Sequence, residues 1–161
     1  RPGRRRPAQG HAVIRIVVPG PNPRKNARAA VEYLTPKATR AWFARLTLAV
    51  AERVGTEHAK RGRWAVAIAV YEAELRHLDD GETAVPLGDI DSTITAVLDG
   101  LQPDRCGPWA PLDDDARIVR LLVEKHYDPD APRVEITLEQ LPPLHLEPRW
   151  THRRKPAARP R

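Results

Sequence analysis

The apolar residues of this chain recur with a period of two, then 3.6, then two again, and that succession restricts the fold more than any other feature. From His11 to Val18, Ala12, Ile14, Ile16 and Val18 alternate with Val13, Arg15 and Val17 until Pro19-Gly20 ends the run, as in a β-branched strand. Thr35-Pro36 supplies an N-cap followed by proline at the first helical position. The helix is predicted to about Arg53, with an apolar stripe of Ala41, Leu48 and the set Phe43, Leu46 and Val50. Alternation returns at Trp64, Val66, Ile68 and Val70, predicting a second strand that extends toward Leu75. Residues 76–88 read as a polar connection. Ile94, Val97, Leu98 and Leu101 fall at helical spacing, so a second helix starts close to Asp91 and ends near Gln102-Pro103. Val119, Leu121 and Val123 alternate, Asp128-Pro129-Asp130 turns the chain, and Val134, Ile136 and Leu138 form a last strand. This β-α-β-α-β-β order predicts an α+β fold, a small mixed sheet with helices on one side. Trp42 and Trp64 belong in its core, while Trp109, in a Gly/Pro loop, either anchors that loop or stacks on a base.

A chain of 161 residues suits one domain with a modest core. Its net charge of +6 is unevenly spread: residues 1–10 and 149–161 hold ten of the 27 basic residues and no acidic one, so 11–148 carries 17 against 21 and is acidic overall. The division predicts a disordered basic arm at 1–10, a folded body at 11–148 and a disordered basic tail at 149–161, the arms either seeking phosphate or keeping the chain soluble. A further basic group, Arg24, Lys25 and Arg28, lies in a proline-rich loop that could meet phosphate. The single Cys106 excludes an intramolecular disulfide, and no apolar run approaches a membrane span, so a cytoplasmic protein with no membrane partner is expected.

The carboxylates are the candidate chemistry. Asp89 and Asp91 are two apart, which directs both side chains the same way only along an extended segment, and Pro86 and Gly88 keep the lead-in non-helical. Asp113, Asp114 and Asp115 form a second acidic group just before a strand, where mutual repulsion calls for a cation or protons. Carboxylates of this kind suit a hard divalent ion, and an exposed acidic turn suits the same residues. There is no phosphate-binding GxxxxGK[ST] loop and no GxSxG elbow, and the histidines do not pair at metal-ligand spacing.

In four segments the chain resembles the RusA-type Holliday junction resolvases, a family with many phage-encoded members. These are V-V-P-G-P-N-P-R-K-N-A-R (17–28), Y-L-T-P-K-A-T-R (33–40), G-D-I-D-S-T-I-T-A-V-L-D-G-L (88–101) and L-D-D-D-A-R-I-V (112–119). The resemblance implies a homodimeric endodeoxyribonuclease that resolves four-way DNA junctions in recombination and repair, in a bacterial cell or phage-infected host. It also implies Mg²⁺, with Mn²⁺ as a substitute, held by the catalytic Asp89, Asp91 and Asp115, with Asp114 as a neighbouring ligand. Arg24, Lys25, Arg28, Lys37, Arg40 and Arg117 are the expected DNA contacts. Two positions depart from the family pattern: Ser92 stands where its Asn would be, and Thr95 where its Lys would be. Either Arg117 or the basic loop supplies the missing cation, or cleavage is weakened. The alternatives are a junction-binding protein without cleavage and a small scaffold with solvated acidic loops.

Overall fold

Trp64, Val66, Ile68 and Val70 can share one face only in an extended segment, and that segment, β2 (Arg63–Glu72), becomes an inner strand of the sheet. The computed structural model describes residues 13–20, 37–54 and 62–144. In it β2 pairs antiparallel with β6 (Arg133–Leu141) and parallel with β5 (Ile118–Tyr127), while β6 pairs antiparallel with β1 (Val13–Pro19). The order is β1-β6-β2-β5, a mixed sheet with β1 and β5 at its edges. Two helices, α1 (Lys37–Val54) and α2 (Ile90–Gly100), pack against β1 and β5 respectively, and the short α3 (Pro103–Cys106) packs against both helices.

The core is built from one face of this sheet. Ile14, Ile16 and Val18 of β1, Val134, Ile136 and Leu138 of β6 and the four β2 residues are all buried. They meet Trp42, Leu46 and Val50 of α1 and Val97 of α2, with Leu101 just beyond it. The expected α+β architecture, with both tryptophans inside, is therefore realised. No helix among the described residues is long and apolar enough to cross a membrane. The arms at 1–10 and 149–161 lie outside the described residues.

Several elements differ from the sequence expectation. Ala41 is exposed and Leu48 is 63 % exposed, because the buried stripe of α1 runs Trp42, Leu46, Val50 at intervals of four. Strand β2 stops at Glu72, and the segment read as a polar connection contains a hairpin of β3 (Leu75–His77) and β4 (Ala84–Pro86). Its turn is closed by Asp80, which accepts from the Glu82 and Thr83 amides and, at 2.6 Å, from the Thr83 hydroxyl. The Thr83 bonds hold the Asp80 carboxyl below its ordinary range. Strand β5 is longer than Val119–Val123, and α2 begins at Ile90, one residue before Asp91.

Gly100 explains how closely α1 and α2 approach. A Cβ there would press into the Leu46 side chain and lie 3.2 Å from Phe43. Overpacking should outweigh the gain in helix propensity, so Gly100→Ala is expected to lower stability by about 1–2 kcal/mol. Urea unfolding of the two proteins checks this, and an equal or higher midpoint for the variant would contradict the close approach.

Candidate active site

The chain reaches Asp89 through a short constrained lead-in. Strand β4 ends at Pro86, Gly88 takes a left-handed φ of 93°, and Asp89 is extended at φ −95°, ψ 133° as the N-cap of α2. The Leu87 amide donates to Glu74 O at 2.9 Å, and Lys125 Nζ of β5 donates to the carbonyls of Pro86 and Gly88, both at 2.5 Å. Glu72, only 1 % exposed, places its Oε1 3.4 Å from where a Gly88 Cβ would stand.

An N-cap aspartate ordinarily spends its carboxylate on the first helical amides. Asp89 makes no such bond. Asp91 lies in the first turn, where the partial positive charge of the helix N-terminus favours an anion. The side chains that follow are used inside the helix: Thr93 Oγ1 donates to Asp89 O at 3.2 Å and Thr95 Oγ1 to Asp91 O at 3.0 Å. Both aspartates are exposed.

The acidic triplet separates into three different groups. Asp113 bonds and ion-pairs with Arg117, which raises the Arg117 pKa and answers the repulsion inferred from the sequence. Asp114 accepts from the Ala116 amide at 2.8 Å and caps the 3-10 turn Asp115–Arg117. Asp115 is exposed, and its carboxylate has no hydrogen-bond or ion-pair partner among the described residues. Local structure thus leaves Asp89, Asp91 and Asp115 uncommitted while it occupies Asp113 and Asp114.

These three carboxylates do not meet within one chain. Lys125 ties the Asp89 lead-in toward the Tyr127 end of β5, whereas Asp115 precedes the Ile118 end. The strand from Ile118 to Lys125 spans about 23 Å. Independently, the Leu112 amide bonds to Leu101 O, so the triplet follows the far end of α2, about 16 Å from its start. Among the described residues no group of three or more His, Cys, Asp or Glu is arranged to hold a metal ion. The donors suit a hard cation by type, and one chain does not assemble them into a cage.

Of the expected DNA contacts, Arg24, Lys25 and Arg28 lie outside the described residues, as does the Lys37 side chain. Arg40 is exposed on α1, and Arg117 is engaged by Asp113. Lys125 was not among the sequence candidates. Its signal was a charged residue continuing the inward alternation of Leu121 and Val123.

The family model of endodeoxyribonuclease RusA matches residues 16–139, a span that runs from within β1 to within β6 and contains β2, β5 and both aspartate segments. The chain belongs to the RusA family. No curated protein matches it. Membership makes this an endodeoxyribonuclease fold, and the RusA match covers the α2 start and the 3-10 turn in one continuous stretch.

Uncommitted carboxylates contribute little to holding the fold, the place of Asp91 at the start of α2 being worth about 0.3–0.5 kcal/mol at an exposed site. Asn at position 89, 91 or 115 should therefore leave stability within about 0.5 kcal/mol of the parent, whereas Asp114→Ala loses a cap and should cost about 1 kcal/mol. Denaturant unfolding of the four variants measures this. A marked loss from Asp115→Asn would show that the residue has a structural role.

Proposed function

We propose that this chain is a Mg²⁺-dependent, structure-selective endodeoxyribonuclease that nicks four-way DNA junctions, with Mn²⁺ as a substitute ion. Its active sites are completed by pairing two copies along β5. The observation that carries this reading is the division of three uncommitted aspartates between the two ends of one edge strand, in a chain of an endodeoxyribonuclease family.

The edge itself supports pairing. Edge strands are ordinarily protected by charge, and β5, beside its exposed Arg120 and Glu124, also exposes Val119, Leu121, Leu122 and Tyr127, with Leu122 54 % exposed. Two-fold pairing of β5 with β5 is antiparallel, so the Ile118 end of one copy meets the Tyr127 end of the other. Asp115 of one copy is thereby carried to the end where Asp89 and Asp91 of the other begin α2. Two equivalent sites arise from one symmetry axis, which suits two symmetry-related strands of a junction.

In such a pair Asp89, Asp91 and Asp115 of the second copy would hold the cation. A bound cation supplies charge neutralisation at the phosphodiester and a more acidic water. The chain's own share is to orient these carboxylates and to bind DNA backbone through Arg40, Lys37 and the basic loop, an attraction that weakens as salt rises. A recombination or repair role in the cytoplasm of a bacterial or phage-infected cell accords with that substrate. The second reading, a junction binder without cleavage, is favoured by one observation: Thr95 carries no charge and its hydroxyl is used by Asp91 O.

The test mixes two inactive proteins. Asp91→Asn and Asp115→Asn should each bind a synthetic four-way junction in Mg²⁺ without nicking it. Co-expressed, they form mixed dimers with one intact site each, so nicking should return to about a quarter of the parent's site number, without paired cuts. A mixture as inactive as its components would sink the shared site. A parent protein that binds junctions and never nicks them would favour the second reading.

A further inference from the structure

We infer that Lys125 is a positioning residue for Asp89, tying the lead-in of α2 to the edge strand β5 and so fixing the direction of the Asp89 carboxylate. The inference rests on the proposed reading of Asp89 as part of the reacting centre.

Lys125 lies opposite Val70 in the parallel β2–β5 register, on the face that carries Leu121 and Val123. A lysine turned inward is tolerated when its ammonium finds acceptors. Here Nζ bridges two backbone oxygens, those of Pro86 and Gly88, each at 2.5 Å. The pair straddles the left-handed Gly88, the most permissive hinge before Asp89. The Gly88 carbonyl and the Asp89 nitrogen belong to one planar peptide, so holding the oxygen holds the plane from which Asp89 departs. The Asp89 side chain makes no capping bond of its own, and its aim is set by this backbone. The same contact brings a fixed positive charge to the start of α2, where Thr95 brings none.

The experiment compares full-length Lys125→Met, Lys125→Arg and Val123→Ala with the parent. Val123→Ala weakens the same face of the same strand without touching the lead-in carbonyls. Three measurements are made: single-turnover nicking of a four-way junction in Mg²⁺, junction binding, and hydrogen exchange across residues 86–91. Lys125→Met should lose about 10²-fold in nicking rate, the scale of a misplaced catalytic group. Its junction affinity should stay within about threefold, because the defect lies in orientation and not in DNA contact. Lys125→Arg, which keeps charge and donors, should recover at least about a tenth of the parent rate. Exchange across 86–91 should accelerate in Lys125→Met and remain unchanged in Val123→Ala.

Nicking by Lys125→Met within about threefold of the parent overturns the inference, and so does unaltered exchange across 86–91. Should Lys125→Met fail to fold, Lys125→Gln carries the same comparison. A parent that nicks no junction defeats the proposed function by itself, and the exchange measurement then decides whether Lys125 is the tether.

Discussion

The parallel pairing of β2 with β5 governs the placement of both aspartate segments in this chain. Parallel neighbours cannot be joined by a tight turn, so the connection must leave β2 at its C-terminal end and return to the opposite end of the sheet. Residues 73–117 are that connection, and they carry the β3–β4 hairpin, α2, α3 and the acidic triplet. Asp89 is met soon after β2 ends, and Asp115 just before β5 begins. With the lead-in held near the end of β2 by the Leu87 amide on Glu74 O and by Lys125, a single chain of this topology holds the two at opposite ends of one strand.

Charge inside this frame is disposed by local pairing. Arg133 bonds both Asp128 and Glu135 at 2.6 Å and lies 3.6 Å over the Tyr71 ring, which itself stacks on His126. That cluster fastens the turn between β5 and β6 to the outer face of the sheet. Its main bond to Arg133 holds the Asp128 carboxyl below its ordinary range. The contribution of this pair to stability is therefore present above the usual carboxylate pKa and lost as pH falls through the lowered value. Asp113 with Arg117 and Asp80 with Thr83 repeat the pattern at the other turns. Asp89, Asp91 and Asp115 stand outside this pairing, as the exposed Asp79, Asp99, Asp104 and Asp130 also do, and what sets the three apart is that they lie in the two aspartate segments of the RusA match.

Much of the fold was legible because the buried strands alternate and the sheet has one covered face. Trp64 to Val70 and Val134 to Leu138 show this directly. Most of what was not legible depended on neighbours distant in sequence, the β3–β4 hairpin being a local exception. Val119, Leu121 and Val123 look half-buried by pattern, yet β5 has a strand on one side only, so Val119 and Leu121 are exposed. The β3–β4 hairpin was hidden by its polar composition, since its turn depends on Asp80 acting as an acceptor. The aspartates were identifiable by spacing and resemblance, but their separation required the strand order, which no local pattern contains.

The departures at Ser92 and Thr95 take on a different meaning in this light. A lysine one turn into α2 would supply positive charge from the helix that bears Asp89 and Asp91. Here that position holds a threonine whose hydroxyl satisfies the Asp91 carbonyl, and the nearby ammonium comes instead from Lys125 on the facing strand. A lysine on a helix face moves with the helix and samples many rotamers, whereas one bridging two backbone carbonyls is held by both. A charge held on the strand in this way has less reach and more rigidity than one on the helix face would have. Such a cation is suited to setting the geometry of a carboxylate more than to following a phosphate, which makes orientation of Asp89 the step where this chain's sequence asks most of Lys125.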